Sequence, residues 1–112
     1  MTITKATIKT IINNGGATFN NKNEMVILKT GYQVSKFDMM TIPVEKLTVK
    51  IIETKLGIIK RGEYLGLWVH EGLVYVDVSR RVATKKEAMV IGKMFNQLSI
   101  LKWKTMECLD VV

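Results

Sequence analysis

Residues 63–79, Glu63-Tyr64-Leu65-Gly66-Leu67-Trp68-Val69-His70-Glu71-Gly72-Leu73-Val74-Tyr75-Val76-Asp77-Val78-Ser79, decide the fold. Two β-prone runs flank Glu71-Gly72, and the glycine supplies the positive φ that a two-residue hairpin turn needs. That turn sets the register: His70 faces Leu73, Val69 faces Val74, Trp68 faces Tyr75, Gly66 faces Asp77 and Tyr64 faces Ser79. Side chains alternate across a strand. One face therefore carries Leu65, Leu67, Val69, Val74, Val76 and Val78, and must be core. The other carries Tyr64, Gly66, Trp68, His70, Leu73, Tyr75, Asp77 and Ser79. A slip of one residue would put the valines in water, so the register is well specified.

The rest of the chain is read outward from this hairpin. Downstream, Thr84-Lys85-Lys86-Glu87 forms a capping box that opens a helix over about 84–97. Ala88, Ile91, Gly92 and Phe95 share its inner face, and Gly92 allows close approach to a sheet. Residues 98–104 read as a last strand, and 106–111 as a trailing strand or tail. Upstream, residues 42–56 fit helical spacing through Val44, Leu47, Ile51 and Ile52, with Pro43 in a first turn and Gly57 as C-cap. Leu47, Val49 and Ile51 also alternate as a strand would; helix is favoured.

Nearer the N-terminus, residues 4–14 read as a helix capped by Thr4, with an Ile8, Ile11 and Ile12 stripe, stopped by Asn13-Asn14-Gly15-Gly16. That Asn-Gly run lacks the glycine spacing and lysine of a phosphate loop. Residues 17–20, Glu24–Lys29 and Tyr32–Lys36 read as strands, with Met25, Ile27, Tyr32 and Val34 inward. Phe37–Thr41 reads as a loop; the methionines of the chain read as gap-fillers, with exposure of Met39 and Met40 in this loop as the alternative. The expectation is one α+β domain over 1–112: an antiparallel sheet of about four or five strands centred on 63–79, with two or three helices and the 84–97 helix on one face.

The chain has 112 residues, with 17 Lys and Arg against 10 Asp and Glu, a formal charge of +7. The imbalance favours nucleic acid or an acidic surface as partner; plain solubility is the competing explanation. No apolar run approaches a membrane span of about 20 residues, and no signal peptide opens the chain, so a cytoplasmic protein is expected. One Cys and one His leave little metal chemistry, and no cofactor is expected. His70 has no serine or carboxylate arrangement around it that predicts hydrolysis, and no spacing of Asp77 with Glu63, Glu71 or Glu87 signals a Mg²⁺ site. The chain is expected not to be an enzyme.

Two groups of residues are candidates for partner binding. Trp68 and Tyr75 beside Asp77 can stack on a ring and accept a hydrogen bond. The competing arrangement covers this face with a helix and makes it a second core layer. Arg80, Arg81, Lys85 and Lys86 gather near a helix N-terminus, an anion-binding arrangement. Lys60 and Arg61 lie exposed just before the hairpin. Unpaired strand edges would also permit a homodimer.

In outline, 66–79 reads G-x-W-x-x-x-G-x-x-Y-x-D-x-S. With Gly31-Tyr32-Gln33-Val34-Ser35 upstream, and Ala88, Gly92 and Asn96-Gln97 downstream, it resembles a pattern in small phage and mobile-element proteins. The resemblance covers about half the chain. It implies an inhibitor of a host defence complex, such as an anti-CRISPR protein binding a CRISPR effector nuclease. The alternative is a small basic nucleic-acid-binding protein.

Overall fold

The computed structural model describes residues 3–97 and 99–111, and their side chains apart from 36–39 and 99. The elements in order are α1 (Lys5–Asn14), β1 (Gly16–Phe19), β2 (Tyr32–Pro43), a 3-10 turn (Val44–Lys46), α2 (Val49–Leu56), β3 (Tyr64–His70), β4 (Leu73–Val82), α3 (Lys85–Met94), β5 (Ser99–Lys102) and β6 (Glu107–Asp110). This is the expected α+β class. The described residues form six strands rather than four or five, in the order β1-β3-β4-β2-β5-β6, every neighbouring pair antiparallel.

β3 and β4 form the predicted hairpin in the predicted register, from His70 opposite Leu73 to Tyr64 opposite Ser79. Glu71 and Gly72 both have positive φ, 50° and 78°. That matches the right-handed twist of the two strands. Leu65, Leu67, Val74, Val76 and Val78 are buried. They pack against Ile11 of α1 and against Ile52 and Leu56 of α2, one turn apart on one helix face. Ala88 of α3 packs with Val34 and Ile100, bordered by Tyr32 and Val82. Val34 pairs with Arg80, and Tyr32 with Val82. Positions 80 and 82 share the alternation of Val74, Val76 and Val78, so all three helices lie on one face of the sheet.

The helix starts follow the local chemistry. Thr4 accepts the Thr7 N–H and Thr7 returns the bond to Thr4 N–H. Thr84 accepts the Glu87 N–H while its hydroxyl donates to the Glu87 carboxylate at 2.9 Å. Gly15 closes α1 in the left-handed conformation at φ 77°.

Several expectations are corrected. Phe37–Thr41 is strand, because β2 runs on to Pro43 beside β4. Two bulges, between Ser35 and Phe37 and between Asp38 and Met40, hide it. Each inserts a residue, so core-side register positions fall at 32, 34, 37, 40 and 42, not at every second residue. The Met39 side chain lies outside the described residues; Met40 is half-buried against the core. The 42–56 helix shrinks to α2, capped by Thr48, whose side chain accepts the Ile51 N–H. Pro43 ends β2 instead of starting a helix. β5 pairs β2 only at Tyr32 and Gln33, so no ladder bond on that side is lost at Pro43.

Glu24–Lys29 is not a strand. Asn20 turns the chain by accepting the Lys22 and Glu24 N–H groups. Only Met25 then bridges to Phe19. Ile27 is 78% exposed, not inward. Phe95, expected on the inner face of α3, is exposed as that helix's C-cap. Gly92 does permit a close approach, to Val111 and Ile100: a Cβ there would sit 2.9 Å from a Val111 methyl. The last strand is shorter than predicted, and Leu98 lies outside the described residues.

Candidate functional site

Among the described residues, no helix covers the second face of the sheet, so its side chains define the candidate site. Residues opposite each other in antiparallel register share a face. The rows on this face therefore read across strands. Nearest the β3–β4 turn, His70 lies opposite Leu73, and Leu73 opposite Pro43. The next row runs Gly16, Trp68, Tyr75, Thr41. Then come Thr18, Gly66, Asp77 and position 38, and finally Tyr64, Ser79 and Ser35.

These rows differ in character. Tyr75 is 38% exposed and Trp68 partly exposed, so the aromatic row meets solvent. His70 and Glu71 beyond it are exposed, 3.6 Å apart, a contact worth little in water. Further from the turn, the face is polar yet closed. Asp77 is only 6% exposed, and Thr18, Ser79 and Gln33 are buried with it. Such groups need partners at this depth. The Ser35 hydroxyl donates to the Asp77 carboxylate at 2.7 Å. The Gln33 amide donates to Ser79 Oγ at 2.8 Å and accepts from Trp103 Nε1 at 3.0 Å.

Gly66 makes room for this arrangement. A Cβ on Gly66 would strike the Asp77 carboxylate and lie 3.1 Å from Trp68 Nε1. The glycine thus lets the carboxylate lie flat against the neighbouring strand, beside the indole. The sequence pattern around 66–79 acquires a physical meaning here. Gly66, Trp68, Tyr75, Asp77 and Ser79 all point to the helix-free face, and Gln33 and Ser35 join them from β2.

Compared with known families, curated proteins and solved structures, the chain matches none.

The basic candidates occupy a different place. Arg80 and Arg81 are successive strand residues, so they project to opposite faces. Arg80 lies on the helix side. Arg81 lies on the helix-free side, where its guanidinium donates to the Thr30 carbonyl and hydroxyl, both at 2.9 Å. Gly31, at φ 86°, leaves space for it; a Cβ there would lie 2.7 Å from the guanidinium. The four residues 80, 81, 85 and 86 therefore do not converge on one point at the start of α3. Lys60 and Arg61 precede β3, and Arg80, Arg81, Lys85 and Lys86 close or follow β4. Antiparallel pairing brings both stretches to the end of the sheet remote from the Glu71-Gly72 turn.

Sequence reading missed Trp103, Lys102 and Lys104 as members of these surfaces. Trp103 sits in the β5–β6 turn, 70 residues from the Gln33 it binds. No local signal announces such a contact. Among the described residues, no three of His, Cys, Asp and Glu are placed to share a metal ion. Nor, among the described residues, is any helix long and apolar enough to cross a membrane.

Proposed function

We propose that this protein acts by stoichiometric binding, not catalysis, as an inhibitor of a host defence complex, with a CRISPR effector nuclease as the expected target. The docking surface is the helix-free face around Trp68 and Tyr75. The observation that carries this reading is an aromatic row left partly open to solvent beside a closed, hydrogen-bonded floor. Large aromatics with part of their surface exposed, held by a rigid sheet, are what a protein interface uses as anchors. The class of target is supported by the resemblance of 66–79 to small phage proteins.

Purified protein in molar excess over a purified CRISPR effector is expected to slow target cleavage. The double substitution Trp68→Ala/Tyr75→Ala should relieve the inhibition while leaving the fold intact. Unchanged cleavage with the native chain across representative effectors would remove the target class. Full inhibition by the double variant would remove the surface.

The alternative, a small basic nucleic-acid-binding protein, is supported by the placement of charge. The aromatic row itself is flanked by the His70 ring and few cations, which suits a protein or a ring better than a phosphate backbone. The cations lie at the other end of the sheet.

A further inference from the structure

The excess positive charge of this chain is concentrated at one end of the sheet. Four adjacent strands, β3, β4, β2 and β5, begin or finish there. Lys60 and Arg61 lead into β3. Arg80 and Arg81 lie near the end of β4, and Lys85 and Lys86 open α3 just after it. Lys29 lies just before β2. Lys102 ends β5, opposite Tyr32 in the register, and Lys104 follows in the turn. Apart from the partly exposed Lys102, all nine are exposed.

The acids at this end are Glu63, Glu87, Glu107 and Glu24, the last in the turn after β1 together with Lys22. Counting Lys22, ten cations against four carboxylates leave +6 of the chain's +7. Two of those carboxylates are otherwise engaged: buried Glu63 accepts the Lys60 backbone N–H at 2.8 Å, and Glu87 accepts the Thr84 hydroxyl. Among the described residues, none of the nine side chains lies within ion-pair distance of a carboxylate. The opposite end, with His70, Glu71, Glu45 and Lys46, carries no such excess.

We propose that this end of the sheet is a nucleic-acid backbone site, separate from the aromatic face. It rests on the nucleic-acid reading above and names the surface for it. Four neighbouring strands at a spacing of about 4.8 Å place the cations along a line about 15 Å wide. A linear polyanion matches a line of fixed cations; a single anion would need them convergent, which the splayed Arg80 and Arg81 are not. Arg81 is held by Thr30, so part of the line is preorganised. Contact is to phosphates, so binding is sequence-independent and weakens with salt.

The test is fluorescence anisotropy with a short labelled oligonucleotide, single-stranded and as a duplex, across a sodium chloride series. Affinity should fall log-linearly with salt, by about 0.7 per contacted phosphate for the single strand and about 0.9 for the duplex. Lys85→Ala/Lys86→Ala should flatten the slope by about 1.4 on the single strand if each lysine meets one phosphate. Lys60→Glu/Arg61→Glu should weaken binding further than neutralisation does. Trp68→Ala/Tyr75→Ala should leave the slope unchanged. No salt-dependent binding by the native chain would overturn the nucleic-acid reading itself. Binding that persists in both basic variants but is lost in the aromatic one would overturn only the placement. Capture by phosphatidylserine vesicles without oligonucleotide binding would overturn the choice of polyanion. Because these side chains are exposed, unchanged thermal unfolding confirms that the variants fold.

Discussion

The two faces of the β3–β4 hairpin are built from alternate residues of the same 17-residue stretch, yet they obey different rules. On the helix side Leu65, Leu67, Val74, Val76 and Val78 need only be apolar and fit together. On the other side Asp77, Ser79, Ser35, Gln33 and Trp103 must each meet a particular partner, and Gly66 must stay small. The first face draws its stability from removed water, at about 25 cal/mol per Å². The second holds a buried polar row at one end and opens toward solvent at the other. Stability is concentrated on one side, which leaves the other free to present a surface.

Substitutions separate the two faces. Leu67→Ala empties a fully buried site and should cost about 2–5 kcal/mol in urea unfolding. Tyr75→Ala, on the exposed row directly behind that core, should cost less than about 1 kcal/mol. Equal costs would mean that the aromatic row is a second core. Gly66→Ala forces a methyl into the Asp77 carboxylate and should cost about 1–3 kcal/mol, from overpacking alone. A neutral outcome would show that the carboxylate swings away freely. Trp103→Phe keeps the ring but removes the donor to buried Gln33, and should cost about 1–2 kcal/mol. No change would show that Gln33 finds water instead. Thr84→Ala removes the α3 cap and should cost about 1 kcal/mol. The smallest effect is expected for Lys85→Ala/Lys86→Ala, within about 0.5 kcal/mol and toward stabilisation, because two cations in a first helical turn oppose the dipole. A large loss there would show that these lysines are structural.

The residues themselves predicted one half of this comparison far better than the other. The aliphatic face, its register and its turn were legible because alternation and turn chemistry are local. Thr4 and Thr84 announced their helices for the same reason. β2 was not legible beyond residue 36, since its two bulges shift the phase of the side chains. Glu24–Lys29 misled in the opposite sense: its apolar residues look like a strand, yet after the Asn20 turn it meets the outer edge of β1 only at the Met25–Phe19 bridge and does not continue as a ladder. On the candidate surfaces, Trp68, Tyr75, Asp77 and the arginines were visible as residue types. Which of them would be open, and which closed over, was not.

By itself, then, the stretch 63–79 determined a hairpin, its pairing and the identity of its core face. Each of those depends on neighbours a few residues apart. Tertiary structure decided that all three helices would settle on that one face, because the valine and leucine surface is wholly apolar and covering it desolvates no polar side chain. It thereby decided that Trp68 and Tyr75 would meet solvent while Asp77 would be closed in by β2 and Ser35. It also decided that Lys60 and Arg61 would share one end of the sheet with Lys102 and Lys104, some forty residues further along the chain. Antiparallel strands bring distant segments to a common end, and only the completed sheet order states which segments those are.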